Sequence, residues 1–236
     1  MLARLKHILL NILFPDFCIS CDTEGSILCE QCAPMLPPLP PTCIGCAMLT
    51  PPDGKRPAGR TCKRCRKNTV IRVFISPFPY RHPLIRRVIH EFKYRRIRLI
   101  SPLCGRLIVS YMSYYGITLP PQSILMPIPL HPRKERVRGF NQALLLAQDI
   151  RAHTSIPLDA HTLIRIASTP PQTTLSAQSR RENVEHIFSL RDQDKVRGKT
   201  IILVDDVKTT GATLEQAARV LKQAGAKEIW AITFAH

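Results

Sequence analysis

The sequence predicts an α/β fold in which helices flank a parallel sheet, preceded by a small module built on cysteines. Two observations lead to this fold class. A strand buried on both faces, a small-residue loop, a helix and a second strand follow one another between Lys199 and Thr233, which is the order of a βαβ unit. Eight of the nine cysteines lie within the first 65 residues. A chain of 236 residues, 44% of them hydrophobic, suffices for one such domain and a small attachment.

Residues 1–14 form the first predicted element, an amphipathic helix. Its leucine and isoleucine side chains fall on one helical face, away from Arg4 and Lys6. Two placements are open, because the helix could pack on its own protein or touch a membrane surface. The stretch is too short to cross a bilayer, so no transmembrane segment is expected. It also lacks the small-residue cleavage site of an export signal, so we expect the protein in the cytoplasm.

Residues 15–67 carry four CxxC pairs, separated by 7, 10 and 15 residues. A CxxC turn presents two thiolates to one ion, and two such turns complete a closed, tetrahedral zinc site. The sequence therefore predicts a double zinc ribbon with two structural Zn2+ ions, whose ligands are Cys18, Cys21, Cys29, Cys32, Cys43, Cys46, Cys62 and Cys65. The spacing leaves open whether consecutive pairs share an ion or the pairs are crossed. Disulfides are the poorer alternative in a cytoplasmic chain.

Residues 68–236 are predicted to form the α/β domain, which begins with a strand over Val70–Ser76 and a helix over Leu84–Ile100. Another helix is expected from Leu103 to about Tyr114. The helix over Leu84–Ile100 buries one apolar face and carries cations on the rest of its surface. Cations there and within the last CxxC pair suit the backbone of single-stranded nucleic acid. The DNA-binding candidates are Arg95, Arg96, Lys63 and Arg64. A solvated basic surface is the alternative.

The next strand, Ser123–Met126, ends in a proline-rich turn that is followed at once by a cluster of cations. Cations beside a strand end indicate a second anion site, with Gly139 opening the next helix. A short strand is expected over Leu163–Ile166. The stretch Ala167–Val184 is then polar and includes Arg181, a pattern typical of a lid over a site or of an exposed linker.

The stretch Ile201–Leu214 has the clearest chemistry. It begins as a β-branched strand, and the carboxylates of Asp205 and Asp206 stand at the end of that strand. A loop of small residues between a strand and a helix exposes backbone N–H groups at the positive end of a helix dipole, where phosphate binds. The residues of this loop are Thr209, Thr210, Gly211, Ala212 and Thr213. The alternative is a capped turn without a ligand, in which Thr213 is the N-cap.

The formal net charge of +17 favours an anionic partner. Phosphate-bearing small molecules, nucleic acid and an acidic membrane surface all meet that requirement. The hydrophobic content excludes a wholly disordered chain. General solubility is the alternative explanation of the charge.

The string VDDVKTTGATL resembles the motif of phosphoribosyltransferases that binds PRPP, 5-phosphoribosyl-1-pyrophosphate. With PIPLHPRKERVRGFNQ, LIRIASTPPQTTLSAQSRRENV and the CxxC pairs, nearly the whole chain is similar to the ComF/GntX family. These are zinc-bearing phosphoribosyltransferase-like proteins linked in many bacteria to natural competence and the uptake of transforming DNA. The resemblance implies a type I phosphoribosyltransferase-like sheet behind the zinc-ribbon module.

The resemblance also implies roles for residues by position. Asp205 and Asp206 match the family's acids, which makes them the candidate catalytic residues, and Thr209–Thr213 match the loop that holds the 5-phosphate of PRPP. The candidates for the pyrophosphate site and lid are Arg133, Arg136, Arg138, Arg181 and Lys93. PRPP with Mg2+ is the implied ligand. Single-stranded DNA and the competence helicase machinery are the implied partners.

Two positions depart from the family's pattern. Lys208 stands where an uncharged residue is common, and either contacts phosphate or lies outside the site. Thr209 stands where some purine-salvage relatives have a carboxylate, which argues against their proton chemistry here. Two functions follow, of which we favour the first and keep the second as the alternative. One is a PRPP-binding protein of DNA uptake, with little or no turnover; the other is an active phosphoribosyltransferase of nucleotide or cofactor metabolism with no DNA role.

Overall fold

A computed structural model of the chain describes residues 16–54, 56–94, 97–166 and 187–236. The predicted helix over residues 1–14 lies outside these ranges, as do Arg95, Arg96 and the whole polar segment Ala167–Val184 with Arg181. Within the described ranges, none of the helices combines the length and the apolar character needed to span a bilayer.

Six strands are described, and four of them form one parallel sheet. In chain order the strands are β1 (Val73–Ile75), β2 (Ser123–Pro127), β3 (Leu163–Arg165), β4 (Phe188–Leu190), β5 (Thr200–Val207) and β6 (Glu228–Ala235). The spatial order of the parallel sheet is β1-β6-β5-β2, with Ile202 beside Trp230 on one side and Leu125 on the other. The remaining two strands, β3 and β4, form a small antiparallel sheet.

Five α-helices lie in the described ranges: α1 (Pro83–Tyr94), α2 (Ile97–Tyr114), α3 (Pro132–Arg138), α4 (Gln142–Thr154) and α5 (Ala212–Gln223). Helices α1, α2 and α4 pack on the face of the sheet that receives Ile202 and Val204. Helix α5 packs on the other face, with Ile201 and Leu203. Successive side chains of a strand point to opposite faces, so β5 is buried on both sides. The predicted parallel sheet flanked by helices is thereby confirmed.

Two local predictions differ from the structure. Helix α2 begins at Ile97 and runs through Pro102, because Ile100, Cys104 and Ile108 are fully buried along one face of it. Gly139, with φ of 80°, ends α3 in the left-handed conformation instead of opening the next helix. Helix α4 starts three residues later, where Asn141 Oδ1 accepts from Ala143 N at 3.0 Å.

The cysteine module is attached along the edge strand β1. Phe74 N donates to Gly59 O at 2.8 Å and Thr61 N donates to Arg72 O at 2.7 Å, so the chain before Cys62 pairs with β1 in antiparallel fashion. The beginning of the module instead packs Ile19 and Ile27 into the core beside α1. Ile44 packs against the core on the other face, so the module reaches both faces of the sheet. Its division from the α/β domain after residue 67 stays a prediction.

Candidate functional site

The carboxyl end of β5 carries both aspartates, and the backbone beyond each one fixes its carboxylate. Asp206 N donates to Asp205 Oδ1 at 2.9 Å, and Val207 N donates to Asp206 Oδ1 at 2.8 Å. Both side chains are half-buried. Asp206 lies on the face packed by α2, where burial first and the carboxylates of Asp149 and Asp206 next raise the pKa of the Cys104 thiol. The two acids therefore point to opposite faces at one edge of the sheet.

The loop after β5 leads directly into the N-terminus of α5. Its N-cap is Gly211, with φ of 82°, and Thr213 lies inside the helix, so the alternative with Thr213 as N-cap is wrong. Thr210 Oγ1 accepts from Ala212 N at 3.3 Å, and Thr209, Thr210 and Ala212 are exposed. A glycine N-cap has no side chain to accept from the first-turn amides. An anionic ligand can take that place.

Lys208 lies between this loop and the cysteine module. Its Nζ is 5.7 Å from the centre of the Phe74 ring, and its Cε lies 3.1 Å from the position that a Cβ would occupy on Gly211. Burial lowers the pKa of Lys208, while the thiolate of Cys43 opposes the shift. The side chain therefore lies along the loop, on the side of the cysteine module.

The cations predicted for the second anion site lie on the short helix α3. Ile128 N donates to Val204 O at 2.9 Å, so the chain leaves β2 at the edge of the sheet where Asp205 and Asp206 stand. Arg133 and Arg136 are exposed. Arg138 is half-buried and donates to Gln142 Oε1 at 3.3 Å, which makes it the anchored member of the set. Sequence reasoning gave Gln142 no role, because only the turn between α3 and α4 brings it to Arg138.

The other predicted residues have no described contact at this edge. Lys93 lies on α1, but its side chain is not among those described, and Arg181 lies outside the described ranges. Lys63 and Arg64 are exposed on the cysteine module, and Arg95 and Arg96 are again not described. These placements leave the corresponding assignments as predictions.

Arg165 on β3 is a cation that the sequence did not single out. Its Cζ lies 5.5 Å from the centre of the Phe188 ring on the paired strand β4. Burial lowers the pKa of Arg165, and the carboxylate of Asp205 opposes the shift, so the two charges lie near each other. The position depends on the β3–β4 pairing across the polar segment. No local pattern predicts such a pairing.

The eight N-terminal cysteines form two separate groups of four. Within each group the Sγ atoms lie within 4.8 Å of one another, and the members are Cys18, Cys21, Cys29 and Cys32 in the first cluster and Cys43, Cys46, Cys62 and Cys65 in the second cluster. Consecutive CxxC pairs therefore share a site, and the crossed arrangement is wrong. The pairs that face each other across these sites are not disulfides.

The sulfur geometry of both clusters fits a tetrahedral ion. Cys21 Sγ lies 3.6 Å from Cys29 Sγ, and Cys46 Sγ lies 3.8 Å from Cys62 Sγ. Zn–S bonds of about 2.3 Å at tetrahedral angles place sulfurs about 3.8 Å apart, whereas disulfide sulfurs are about 2.05 Å apart. A Cβ on Gly45 would lie 2.9 Å from Cys65 Sγ, so only glycine fits beside this ligand. Either cluster could hold a zinc ion.

Backbone amides favour the thiolate form at the first cysteine of each cluster. Burial raises the pKa of Cys18, but N–H groups of Cys29, Cys21 and Ser20 outweigh it and lower the pKa to about 6. In the same way burial raises the pKa of Cys43, while N–H groups of Cys62, Cys46 and Gly45 lower it to about 7. Thiolates with several N–H donors are good ligands for a soft cation.

Comparison with known proteins shows which proteins this chain resembles. A phosphoribosyl transferase domain model matches residues 141–236. The DNA utilization protein YhgH of Salmonella typhi is 30% identical over 87% of this chain and 89% of its own length. Competence protein F of Haemophilus influenzae is 37% identical over 46% of this chain and 48% of its own length. Competence protein ComFC of Bacillus subtilis is 29% identical over 76% of this chain and 72% of its own length.

A solved glutamine PRPP amidotransferase from B. subtilis covers 56% of this chain, and the chain covers 25% of it, at 19% identity and a TM-score of 0.38, too weak a likeness for functional comparison. The sheet, its flanking helices and the domain match define a phosphoribosyltransferase-like protein with two four-cysteine clusters. Similarity along most of the chain to the Salmonella and Bacillus proteins YhgH and ComFC is more specific. The chain belongs to the ComF family, as its motifs had indicated.

Proposed function

We propose that this protein binds PRPP at the carboxyl edge of its parallel sheet and acts in the handling of incoming DNA during natural competence. The observation that best supports this proposal is the arrangement at the end of β5. A pair of acids is followed there by an exposed loop and by a helix whose N-cap is glycine. Amides of Thr209–Thr213 would hold the 5-phosphate. Asp205 and Asp206 would accept hydrogen bonds from the ribose hydroxyls.

The pyrophosphate of PRPP would face the cations on α3. Arg138 is the strongest candidate on α3, because its guanidinium is half-buried and held by a hydrogen bond to Gln142 Oε1. Arg133 and Arg136 extend this positive surface, and Lys93 and Arg181 are the further candidates. Mg2+ would accompany PRPP and offset its charge, as it does in phosphoryl chemistry generally.

Each four-cysteine cluster would hold one structural Zn2+. Four thiolates leave no open coordination position, so the ions would stabilise the module and take no part in chemistry. The module buries few apolar side chains of its own, which makes the metal a large part of its folding free energy.

The role in DNA handling rests on charge and on the names of the relatives. Lys63 and Arg64 are exposed, as are Arg86 and Arg87 on α1. These cations could hold single-stranded DNA for a competence helicase in the cytoplasm. An active phosphoribosyltransferase remains the second candidate, favoured by the cations on α3, which would stabilise the charge of a departing pyrophosphate. Release of pyrophosphate from PRPP, on addition of an acceptor, distinguishes the two.

Calorimetric titration with PRPP and Mg2+ tests the site. Asp205→Asn with Asp206→Asn should weaken PRPP binding tenfold or more, because about 1.5 kcal/mol or more is lost with each charged hydrogen bond. Zinc content should remain that of the wild type. Asp192→Asn with Asp194→Asn is the matched control, since it removes the same charge from the loop between β4 and β5. Unaltered PRPP affinity in the Asp205/Asp206 variant would sink the assignment.

A further inference from the structure

The segment that follows the second cluster is hydrogen-bonded to the helix that follows the phosphate loop. Thr69 Oγ1 donates to Glu215 Oε2 at 2.5 Å, and Val70 N donates to Glu215 Oε1 at 3.4 Å. One turn further along α5, Arg219 Nη2 donates to Asn68 O at 3.2 Å. These bonds join residues that are 145 to 151 positions apart in the sequence, and they fix α5 close to its N-terminus.

The second cluster in turn fixes that segment. Asn68 N and Thr69 N donate to Cys65 O at 2.9 and 3.2 Å. The residues that bind α5 are therefore hydrogen-bonded to the backbone of a candidate metal ligand. Cys65 and Gly45 share a cavity of about 310 Å³ with Thr210, Gly211 and Ala212 of the loop. Lys208 lines the same cavity. The cluster and the loop are therefore neighbours across one small space.

Glu215 is an unexpected residue beside a phosphate loop. It lies in the first turn of α5, where its charge would repel an anionic ligand. Arg219 Nε lies 2.9 Å from Glu215 Oε1 and balances that charge, while Thr69 holds the carboxylate towards the cysteine module. The side chain of Glu215 is only 22% exposed, so these bonds are partly shielded from water. An acid that is balanced and turned away in this manner is suited to fixing the helix.

We propose that the second cluster, with its metal ion bound, sets the conformation of the phosphate loop, and that Thr69 and Glu215 are the positioning residues that connect them. The first cluster serves as an internal comparison, because Ile19 and Ile27 place it against the opposite face of the sheet, beside α1. The proposal rests on the proposed function only in identifying PRPP as the ligand of the loop. Order of the loop itself can be measured without any ligand.

The first test uses the full-length zinc-loaded protein and the variant Thr69→Val, which removes the hydroxyl and keeps the side chain's volume. Zinc content should stay at the wild-type value. Amide hydrogen exchange across residues 209–213 should become about tenfold faster, and PRPP affinity should fall about tenfold. Thr23→Val is the matched control, since the hydroxyl of Thr23 lies 3.1 Å from Cys21 Sγ in the first cluster. It should leave loop exchange and PRPP affinity unchanged.

The second test compares Cys21→Ser with Cys46→Ser, which replace exposed cysteines at equivalent places in the two clusters. Each variant should lose one zinc, but only Cys46→Ser should speed exchange in the loop. Exchange of the β5 amides reports whether either variant has unfolded. Glu215→Ala should speed amide exchange in the loop as Thr69→Val does. Glu215→Gln keeps an acceptor for Thr69, so exchange in its loop should be slower than in Glu215→Ala.

Unchanged loop exchange in both Thr69→Val and Cys46→Ser would overturn the proposal, as would equal acceleration by Cys21→Ser and Cys46→Ser. A wild-type protein that fails to bind PRPP would contradict the proposed function alone. In that case hydrogen exchange in the ligand-free protein still decides whether the second cluster positions the loop.

Discussion

Gly211 is the residue whose backbone most directly shapes the candidate phosphate site. Its φ of 82° falls in the left-handed region, and a Cβ there would lie 3.1 Å from Lys208 Cε. We expect Gly211→Ala to lower the free energy of unfolding by about 1 kcal/mol, through backbone strain, and to weaken PRPP binding because Lys208 must move. Chemical denaturation and PRPP titration measure the two effects.

The control for this prediction is Gly116→Ala. Gly116 also has a positive φ, of 60°, but no atom of the described residues lies within 4 Å of the position that a Cβ would occupy there. The control should lose similar stability and bind PRPP like the wild type. If Gly211→Ala bound PRPP as well as the control does, the loop would not be a ligand site.

The protonation of one residue, His236, should make the free energy of unfolding depend on pH. Burial, and then the charge of Lys208, lower the pKa of His236 from 6.5 to about 4, and its ring packs edge-on against Phe74 with the centroids 5.3 Å apart. Between pH 6.5 and 4 the unfolded chain binds a proton that the folded chain does not. The contribution of this residue is therefore present above pH 6.5 and is lost as the pH falls towards 4.

Denaturation at pH 7 and pH 5 should show this loss in the wild type and a smaller loss in His236→Gln. Carboxylates and metal ligands titrate in the same window, so the difference between proteins is the informative quantity. His161→Gln, at an exposed position, should behave like the wild type. An identical pH dependence in wild type and His236→Gln would contradict the assignment.

At the scale of elements, sequence patterns predicted the strands and helices whose own residues favour them. β5 and α5 follow from a run of β-branched residues and from an apolar stripe at Leu214, Ala217, Ala218 and Leu221. The extent of α2 could not be predicted, because burial of its face outweighs Pro102. β4 was missed because three residues gain their strand conformation only by pairing with β3 across a long separation.

Some residues of the candidate site could likewise be predicted from the sequence, and others could not. Asp205, Asp206 and the small-residue loop are adjacent in the chain, so the motif alone was enough to propose them. Arg165 acquires its significance from the nearby charge of Asp205, and Glu215 from its hydrogen bond with Thr69, and both partners are distant in the sequence. The four CxxC turns identified the metal ligands, but their partition into two clusters needed the three-dimensional distances. Adjacent residues can be predicted from sequence, whereas long-range contacts require the structure.

At the scale of the whole molecule, a net charge of +17 predicts salt-dependent binding to single-stranded DNA. Each phosphate contact contributes a slope of about −0.7 to the dependence of log affinity on log salt for single strands. Lys63→Ala with Arg64→Ala should therefore weaken binding and reduce the slope by roughly 1.4. Fluorescence anisotropy with a labelled oligonucleotide at several salt concentrations measures both quantities. Arg95→Ala with Arg96→Ala should have the same effect.

The control removes equal charge from another surface. Lys195→Ala with Arg197→Ala changes two exposed cations on the loop between β4 and β5, distant in sequence from the cysteine module. It should alter affinity little and leave the slope unchanged, because a specific basic surface requires its cations to contact phosphate. Equal losses in the Lys63/Arg64 variant and in this control would mean that DNA responds only to the total charge, and the basic surface of the cysteine module would then have no specific role.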